Sequence, residues 1–161
     1  MSISGKKLLS EGYTIIEVAL VVSIVFILLG LVAVNLFKFQ HKSQLSSTLN
    51  SFLADYKEQQ IKAMVGDTQG AGTVSSYGVH FETSSYTLFQ NTYGTANFSV
   101  SLPSTIQMFT TFPSSQVVFA TGSGALTSFT SGQNTITLKD TVDGSQKVIT
   151  INQYGVVSGV N

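Results

Sequence analysis

The sequence predicts an α+β fold in which a long N-terminal α-helix, transmembrane in its first half, packs by its second half on a C-terminal antiparallel β-sheet domain. Three observations lead to this prediction. Residues 13–37 are almost continuously apolar, and residues 38–65 repeat apolar side chains at helical spacing. Residues 66–161 then alternate short β-type runs with Ser, Thr and Gly.

The predicted transmembrane segment is residues 13–37, in which Glu17 is the single charged residue. A helix of this length rises roughly 37 Å, enough to cross a hydrocarbon layer of about 30 Å. The apolar run is too long for an ordinary secretory signal, although Lys6 and Lys7 precede it. Lys38 and Lys42 follow it, so the distribution of basic residues only weakly favours an inside amino end.

Residues 38–65 are predicted to be an amphipathic helix that ends at Gly66-Asp67. One apolar stripe is expected to face the β-domain, with Ser, Gln, Lys and Asp opposite. The stripe consists of Leu45, Leu49, Phe52, Tyr56, Ile61 and Met64.

Residues 66–161 are predicted to form a β-rich globular domain, large enough to bury a core if the helix contributes its stripe. Asp143-Gly144 is expected to provide the positive-φ positions of the clearest hairpin. The predicted strands are Tyr77–Phe81, Tyr86–Gln90, Phe98–Leu102, Gln116–Ala120, Asn134–Lys139 and Lys147–Asn152.

The composition restricts the partners. The 161-residue chain has eight Lys, no Arg and eight acidic residues, and its formal net charge is zero. Binding to nucleic acid requires a basic surface, so no nucleic-acid partner is expected. No cysteine is present, which excludes disulfides and thiolate chemistry. No cofactor or metal site is predicted.

Thr14 and Glu17 have the spacing of a capping box, in which their side chains bind the first free N–H groups of a helix. A carboxylate within an apolar helix also suggests a functional partner, because covering an unpaired charge is costly. The two roles are compatible.

The segment Gly12-Tyr13-Thr14-Ile15-Ile16-Glu17 resembles the prepilin signal of type IV pilins and type II secretion pseudopilins. The resemblance implies that residues 1–12 are a leader, whose Lys6 and Lys7 stay in the cytoplasm. Prepilin peptidase would cut between Gly12 and Tyr13 and methylate the new amine of Tyr13. Glu17 would pair with the amine of a neighbouring subunit, so that the helix assembles into a filament.

The order of the later elements is similar to that of the GspH/FimT class of minor pseudopilins and minor pilins. The matching segments include Tyr77-Gly78-Val79, Val117-Val118-Phe119 and Gly155-Val156-Val157. The resemblance implies a non-enzymatic subunit of a type II secretion pseudopilus or type IV pilus. Its expected partners are prepilin peptidase, other pilin or pseudopilin subunits and an inner-membrane assembly platform.

The implied location is the bacterial inner membrane, with one span and an extracytoplasmic C-terminal domain, and then the filament. Two departures from the family pattern are Tyr13 in place of the usual Phe and Val34 where many major pilins have Pro. The positions Tyr154 to Val157 carry no basic residue, so the DNA capture of some FimT-like proteins is not expected here.

Three alternative interpretations agree less well with the sequence. An enzyme would depend on His41 or His80, but His41 is expected in a solvated or headgroup position and His80 on the solvent face of a strand. A calcium site at Asp140 and Asp143 lacks the remaining ligands of a calcium loop, and a hairpin turn is favoured. An uncleaved, single-pass membrane-anchored extracytoplasmic binding domain would be expected to have a flexible linker after its span, where this sequence continues an amphipathic helix.

Overall fold

The structure is a computed structural model that describes residues 12–68, 70, 72–94 and 96–161. Of residues 32–38 and 96 it gives only the secondary structure. The chain forms two compact units, Met1–Phe39 and Gln40–Asn161. Helix α1, Ile15–Val65, contributes to both units.

The described residues of helix α1 do not support the predicted membrane span. Its side chains are described in two stretches, residues 15–31 and 39–65, and in the described part of the chain no helix is long and apolar enough to cross a membrane. Residues 39–65 contain many polar side chains. The transmembrane half of the predicted fold and the single-pass inner-membrane location are therefore wrong.

The second part of α1 packs its apolar side chains into the second unit. Leu45, Leu49, Phe52 and Tyr56 are buried as the stripe predicts, but Ile61 is 47% exposed. At about 100° per residue, a side chain five positions after Tyr56 points about 140° away from it. The stripe predicted through Ile61 and Met64 is therefore wrong, and the buried positions of the last turns are instead Gln59, Gln60 and Ala63.

The helix ends where the sequence predicts. Gly66 has φ +67°, a left-handed conformation that glycine adopts without strain. Its neighbour Asp67 donates its N–H to the carbonyl of Lys62 at 3.0 Å, which satisfies one of the last free carbonyls of α1.

Eight strands follow, and in β5 and β6 every second side chain is buried in the core. A short 3-10 helix, Pro113–Ser115, precedes β5. The strands are β1 Tyr77–Phe81, β2 Ser85–Gln90, β3 Ala96–Ser101, β4 Ile106–Thr110, β5 Gln116–Phe119, β6 Thr135–Asp140, β7 Gln146–Ile151 and β8 Val157–Val160.

The strands form two antiparallel sheets of four strands each, where the sequence predicted one. The first sheet has the order β3-β2-β1-β5. All four of its strands were predicted, and each predicted end lies within two residues of the observed end. The second has the order β4-β6-β7-β8. Strands β4 and β8 were not predicted, because β4 does not alternate polar and apolar residues strictly and β8 contains a glycine. Without them the second sheet could not be recognised.

One hydrophobic core joins α1 to both sheets. Phe52 of α1 is fully buried, with its ring centroid 5.3 Å from that of Tyr86 in β2. Tyr56 lies 5.0 Å from Phe119 of β5 in an edge-on arrangement. Ile136, Leu138, Ile149 and Ile151 add the inner face of the second sheet. The core holds the 40–65 part of α1 against the strands.

Candidate functional site

The start of α1 is a reciprocal capping box, as the sequence predicted. The backbone N–H of Thr14 donates to Glu17 Oε2 at 3.0 Å, and the Thr14 hydroxyl donates to the same oxygen at 3.1 Å. In return, the N–H of Glu17 donates to Thr14 Oγ1 at 3.3 Å. These bonds satisfy free N–H groups at the helix start and fix the Glu17 carboxylate beside it.

The capping box also favours the charged form of Glu17. Hydrogen bonds from the Thr14 backbone and then from its hydroxyl lower the pKa of the Glu17 carboxyl below its ordinary value of 4.5, against a small opposing effect of desolvation. At neutral pH the first turn of α1 therefore carries a negative charge, where the positive end of the helix dipole stabilises it.

Around this charge, α1 exposes an apolar surface on all sides. Ile15 is 91% exposed and Leu31 is 64% exposed. The large apolar side chains between them are also exposed. Residues 15–31 include no basic residue. Isolated exposed apolar side chains are ordinary, but a contiguous surface of this length is typical of an interface.

The predicted cleavage and methylation positions lie just before α1. Gly12 and Tyr13 have no regular secondary structure and are exposed, Tyr13 to 87%. A Cβ at Gly12 would meet no atom of the described residues within 4 Å, so these residues give no packing reason for glycine at this position. Lys6 and Lys7, predicted as the basic part of the leader, lie outside the described residues.

His41 is not in the solvated or headgroup position that was predicted. Its Nδ1 lies 3.0 Å from Oδ2 of Asp140, whose side chain is fully buried. The other carboxylate oxygen of Asp140 accepts the N–H of Val142 at 2.8 Å. The pair ties α1 to the turn between β6 and β7.

A sequence signal for this pair exists, although the prediction missed it. Asp140 ends the alternation Ile136, Leu138, Asp140, so the period of two along β6 places its carboxylate on the buried face. A buried acid requires a partner. The long separation between His41 and Asp140 in sequence concealed which residue provides it.

The turn with Asp143 has the structure of a hairpin and not of a cation site. Asp143 Oδ1 accepts the N–H and the hydroxyl of Ser145 at 2.8 Å and 2.6 Å. Gly144 alone takes a positive φ, +74°, where the prediction gave one to Asp143 as well. Nowhere in the described ranges do three His, Cys, Asp or Glu side chains lie together as metal ligands would.

His80 is covered by an aromatic ring. Its ring is stacked on Tyr93 with centroids 3.9 Å apart, and its buried Nδ1 finds no hydrogen-bond partner among the residues that the structure describes. Tyr93 donates its hydroxyl to Glu82 at 3.1 Å. The predicted solvent-facing position is thus only half right, since the imidazole lies on the face away from the core but is half-buried.

The segment around Gly155 has a structural role. Gln60 Nε2 donates to the carbonyls of Gly124 and Tyr154 at 3.0 Å and 2.9 Å, and Tyr56 donates its hydroxyl to the Gly155 carbonyl at 3.2 Å. Gly155 has φ +73°, and a Cβ there would lie 2.8 Å from the Gly124 carbonyl oxygen. The segment therefore closes the end of the domain against α1.

In comparisons with models of protein families, with curated proteins and with solved structures, the chain matches none of them. The resemblance to the prepilin signal thus rests on the residues of the sequence itself.

Proposed function

We propose that this chain is a pilin-like filament subunit with a structural and not a catalytic role, in a type II secretion pseudopilus or a type IV pilus. Copies assemble through the apolar surface of α1 between Ile15 and Leu31. Prepilin peptidase removes residues 1–12 and methylates the amine of Tyr13, and Glu17 pairs with that amine on a neighbouring copy.

The observation that carries the proposal is the exposed apolar surface of residues 15–31. Leu20, Phe26 and Ile27 are 60%, 69% and 65% exposed, and other large side chains of this stretch are exposed on every side of the helix. Burying apolar surface contributes about 25 cal/mol per Å², so a helix of this kind gains most when several neighbours surround it. A helical filament with the helices at its centre provides that environment.

The position of Glu17 gives the interface a polar requirement. When neighbouring helices cover residues 15–31, the carboxylate loses water and needs a cation, because breaking or omitting one partner of a buried ion pair costs several kcal/mol. Residues 15–31 contain no Lys or Arg to supply one. A free amine at Tyr13 of another copy would supply it and would also fix the axial position of the two helices.

The exposed, non-helical position of Gly12 and Tyr13 supports processing at that bond. A peptidase binds its substrate as an extended segment, and neither residue is held in the helix or in a packed element. Cutting here exposes an amine on Tyr13, four residues before the Glu17 carboxylate of the capping box. Cleavage would thus create the cation that the interface requires.

The experiment separates charge pairing from helix capping at one position. Glu17→Gln keeps an oxygen that can accept the Thr14 hydrogen bonds, since Gln also forms capping boxes, but it removes the charge. Thr14→Ala is the matched control, because it removes the cap hydroxyl and leaves the carboxylate. Each variant is expressed in the native host, and its amount in sheared filaments is compared with its total amount.

We expect Glu17→Gln and Glu17→Ala to lower incorporation at least about tenfold, which corresponds to about 1.4 kcal/mol, while Thr14→Ala stays near the level of the unchanged chain. Normal incorporation of Glu17→Gln would reduce Glu17 to a capping residue. If neither the variants nor the unchanged chain were found in any filament, the proposed function would be overturned.

A further inference from the structure

Strand β3 has an open hydrogen-bonding edge. It pairs with β2 on one side only and is the outermost strand of its sheet. The N–H of Leu102 donates to the Ser84 carbonyl at 2.9 Å, which fixes the alternation of the ladder. The backbone groups of Asn97, Ser99 and Ser101 consequently point away from β2, and no hydrogen bond joins them to any other described residue.

The opposite edge of the same sheet is covered. On β5 the Val118 carbonyl accepts the N–H of Thr127 at 2.9 Å, and Phe119 forms a bridge with Leu126. On β4, the outermost strand of the second sheet, Met108 donates its N–H to a loop carbonyl at 2.9 Å. Segments of the chain therefore cover these edges, whereas β3 has none.

Strand β3 also lacks the features by which proteins normally prevent an edge from pairing. Natural edge strands carry Lys, Pro, a bulge or a very short length. The sequence of β3 is ANFSVS, six residues with no charge and no proline, in unbroken register with β2. Phe98, in its middle, is 67% exposed. An edge with these properties is suited to accept another strand.

A groove of about 420 Å³ lies between β3 and α1, and acidic side chains line it. Glu58 and Lys62 form an ion pair at 2.7 Å, so their charges offset each other. Asp55 accepts the Tyr86 hydroxyl at 2.5 Å, a neutral donor that leaves the negative charge uncompensated. Phe98 lines the same groove, and an aromatic ring beside a carboxylate favours a Lys or Arg side chain.

We propose that β3 binds an extended segment of a partner protein as an added strand, and that a Lys or Arg of this segment occupies the groove beside Asp55. The backbone of Asn97, Ser99 and Ser101 forms the ladder with the incoming strand, and the groove selects its side chain. A second copy of this chain fits less well, because its own β3 has no basic residue to place at Asp55. The site is independent of the assembly surface of residues 15–31.

The site can be tested with three synthetic peptides of alternating Thr and Val, each about as long as β3. The peptides differ only in their central residue, which is Lys, Gln or Glu. Binding to the full chain, kept dispersed by detergent, is measured by isothermal titration and by amide chemical shifts. We expect the Lys peptide to bind with a Kd below about 1 mM and about tenfold more tightly than the Glu peptide. Asp55→Asn should remove this preference.

Ser99→Pro tests the backbone ladder. Proline at this position removes only an N–H that faces away from β2, a place where edge strands tolerate it. We expect Ser99→Pro to abolish peptide binding and Ser99→Ala, the matched control that keeps the N–H, to bind normally. The thermal transition of each variant reports whether the fold is intact, and the Asp55→Asn comparison tests the site even if Ser99→Pro unfolds.

Equal binding of the Lys and Glu peptides would overturn the proposal, as would no binding of any peptide to the unchanged chain. The proposal would also be overturned if the unchanged chain self-associated and Ser99→Pro abolished this self-association, because β3 would then pair with a second copy.

Discussion

The imidazole Nδ1 of His41 and the carboxylate Oδ2 of Asp140 are 3.0 Å apart, and Asp140 is completely buried. The two residues are 99 positions apart in sequence. Their contact fixes the beginning of the packed part of α1 to the β6–β7 turn. It is thus a polar anchor at the edge of a largely apolar contact between helix and sheets.

We expect His41→Ala to destabilise the protein by about 3 kcal/mol, at the lower end for a broken buried pair because His41 is partly exposed. The variant leaves the Asp140 carboxylate in the core with only the Val142 N–H. Urea denaturation followed by circular dichroism measures the free energy of unfolding. Lys139→Gln, an exposed change on the same strand, should alter it by less than about 0.5 kcal/mol, and equal effects of the two variants would show that the pair is unimportant.

Gly155 and Gly144 have the same backbone conformation but different surroundings, which makes them a matched pair. Their φ angles are +73° and +74°, but only a Cβ at Gly155 would meet atoms, at 2.7 Å from Gln60 Nε2 and 2.8 Å from the Gly124 carbonyl. Gly144→Ala should cost about 1–2 kcal/mol for the left-handed conformation alone. Gly155→Ala should cost about 2 kcal/mol more, because backbone must move. Similar melting temperatures for the two variants would contradict this packing.

Phe52 and Ile61 test which side of α1 faces the core. Phe52→Ala should destabilise the protein by about 3–5 kcal/mol, since the ring is fully buried against Tyr86 and Tyr56. Ile61→Ala should cost less than about 1 kcal/mol because this side chain is 47% exposed. Chemical denaturation compares them, and a larger loss for Ile61→Ala would favour the stripe first predicted from the sequence.

The sequence was sufficient for the local features and failed for those that depend on distant contacts. The capping box of Thr14 and Glu17 and the end of α1 at Gly66 depend on neighbouring residues, and both were predicted. The predicted helix stripe was right as far as Tyr56. Beyond Tyr56 the prediction chose the apolar residue Ile61, but the helical geometry buries Gln60 instead. Gln60 is buried because it donates to two carbonyls of loops that no sequence pattern locates.

The second sheet and the position of His41 show the same limit. Strand β4, with the sequence IQMFT, does not alternate polar and apolar residues strictly, and β8 is only four residues long. The partner of Asp140 lies on another element, so alternation along β6 could indicate a buried acid but not His41. The apolar run of residues 13–37 indicated a membrane span by composition, whereas the described helical stretches do not have the required combination of length and apolarity.

Titration of Glu17 tests the geometry at the start of α1. The Thr14 hydrogen bonds lower the pKa of this carboxyl, so their stabilisation of the helix start is present above the ordinary value of 4.5 and is lost as the pH falls through the lowered value. Thr14→Ala should raise the pKa of Glu17 toward 4.5. Carboxyl carbon NMR measures it, and an unchanged value in Thr14→Ala would show that the hydroxyl makes no contribution.

The most direct test of the proposed function is the intact mass of the protein isolated from filaments of its native host. A pilin-like subunit is expected to have the mass of Tyr13 to Asn161 plus one methyl group, with fragmentation placing that methyl on the amine of Tyr13. A protein that retains residues 1–12 would contradict the account, because the interface around Glu17 would then lack the amine that it requires.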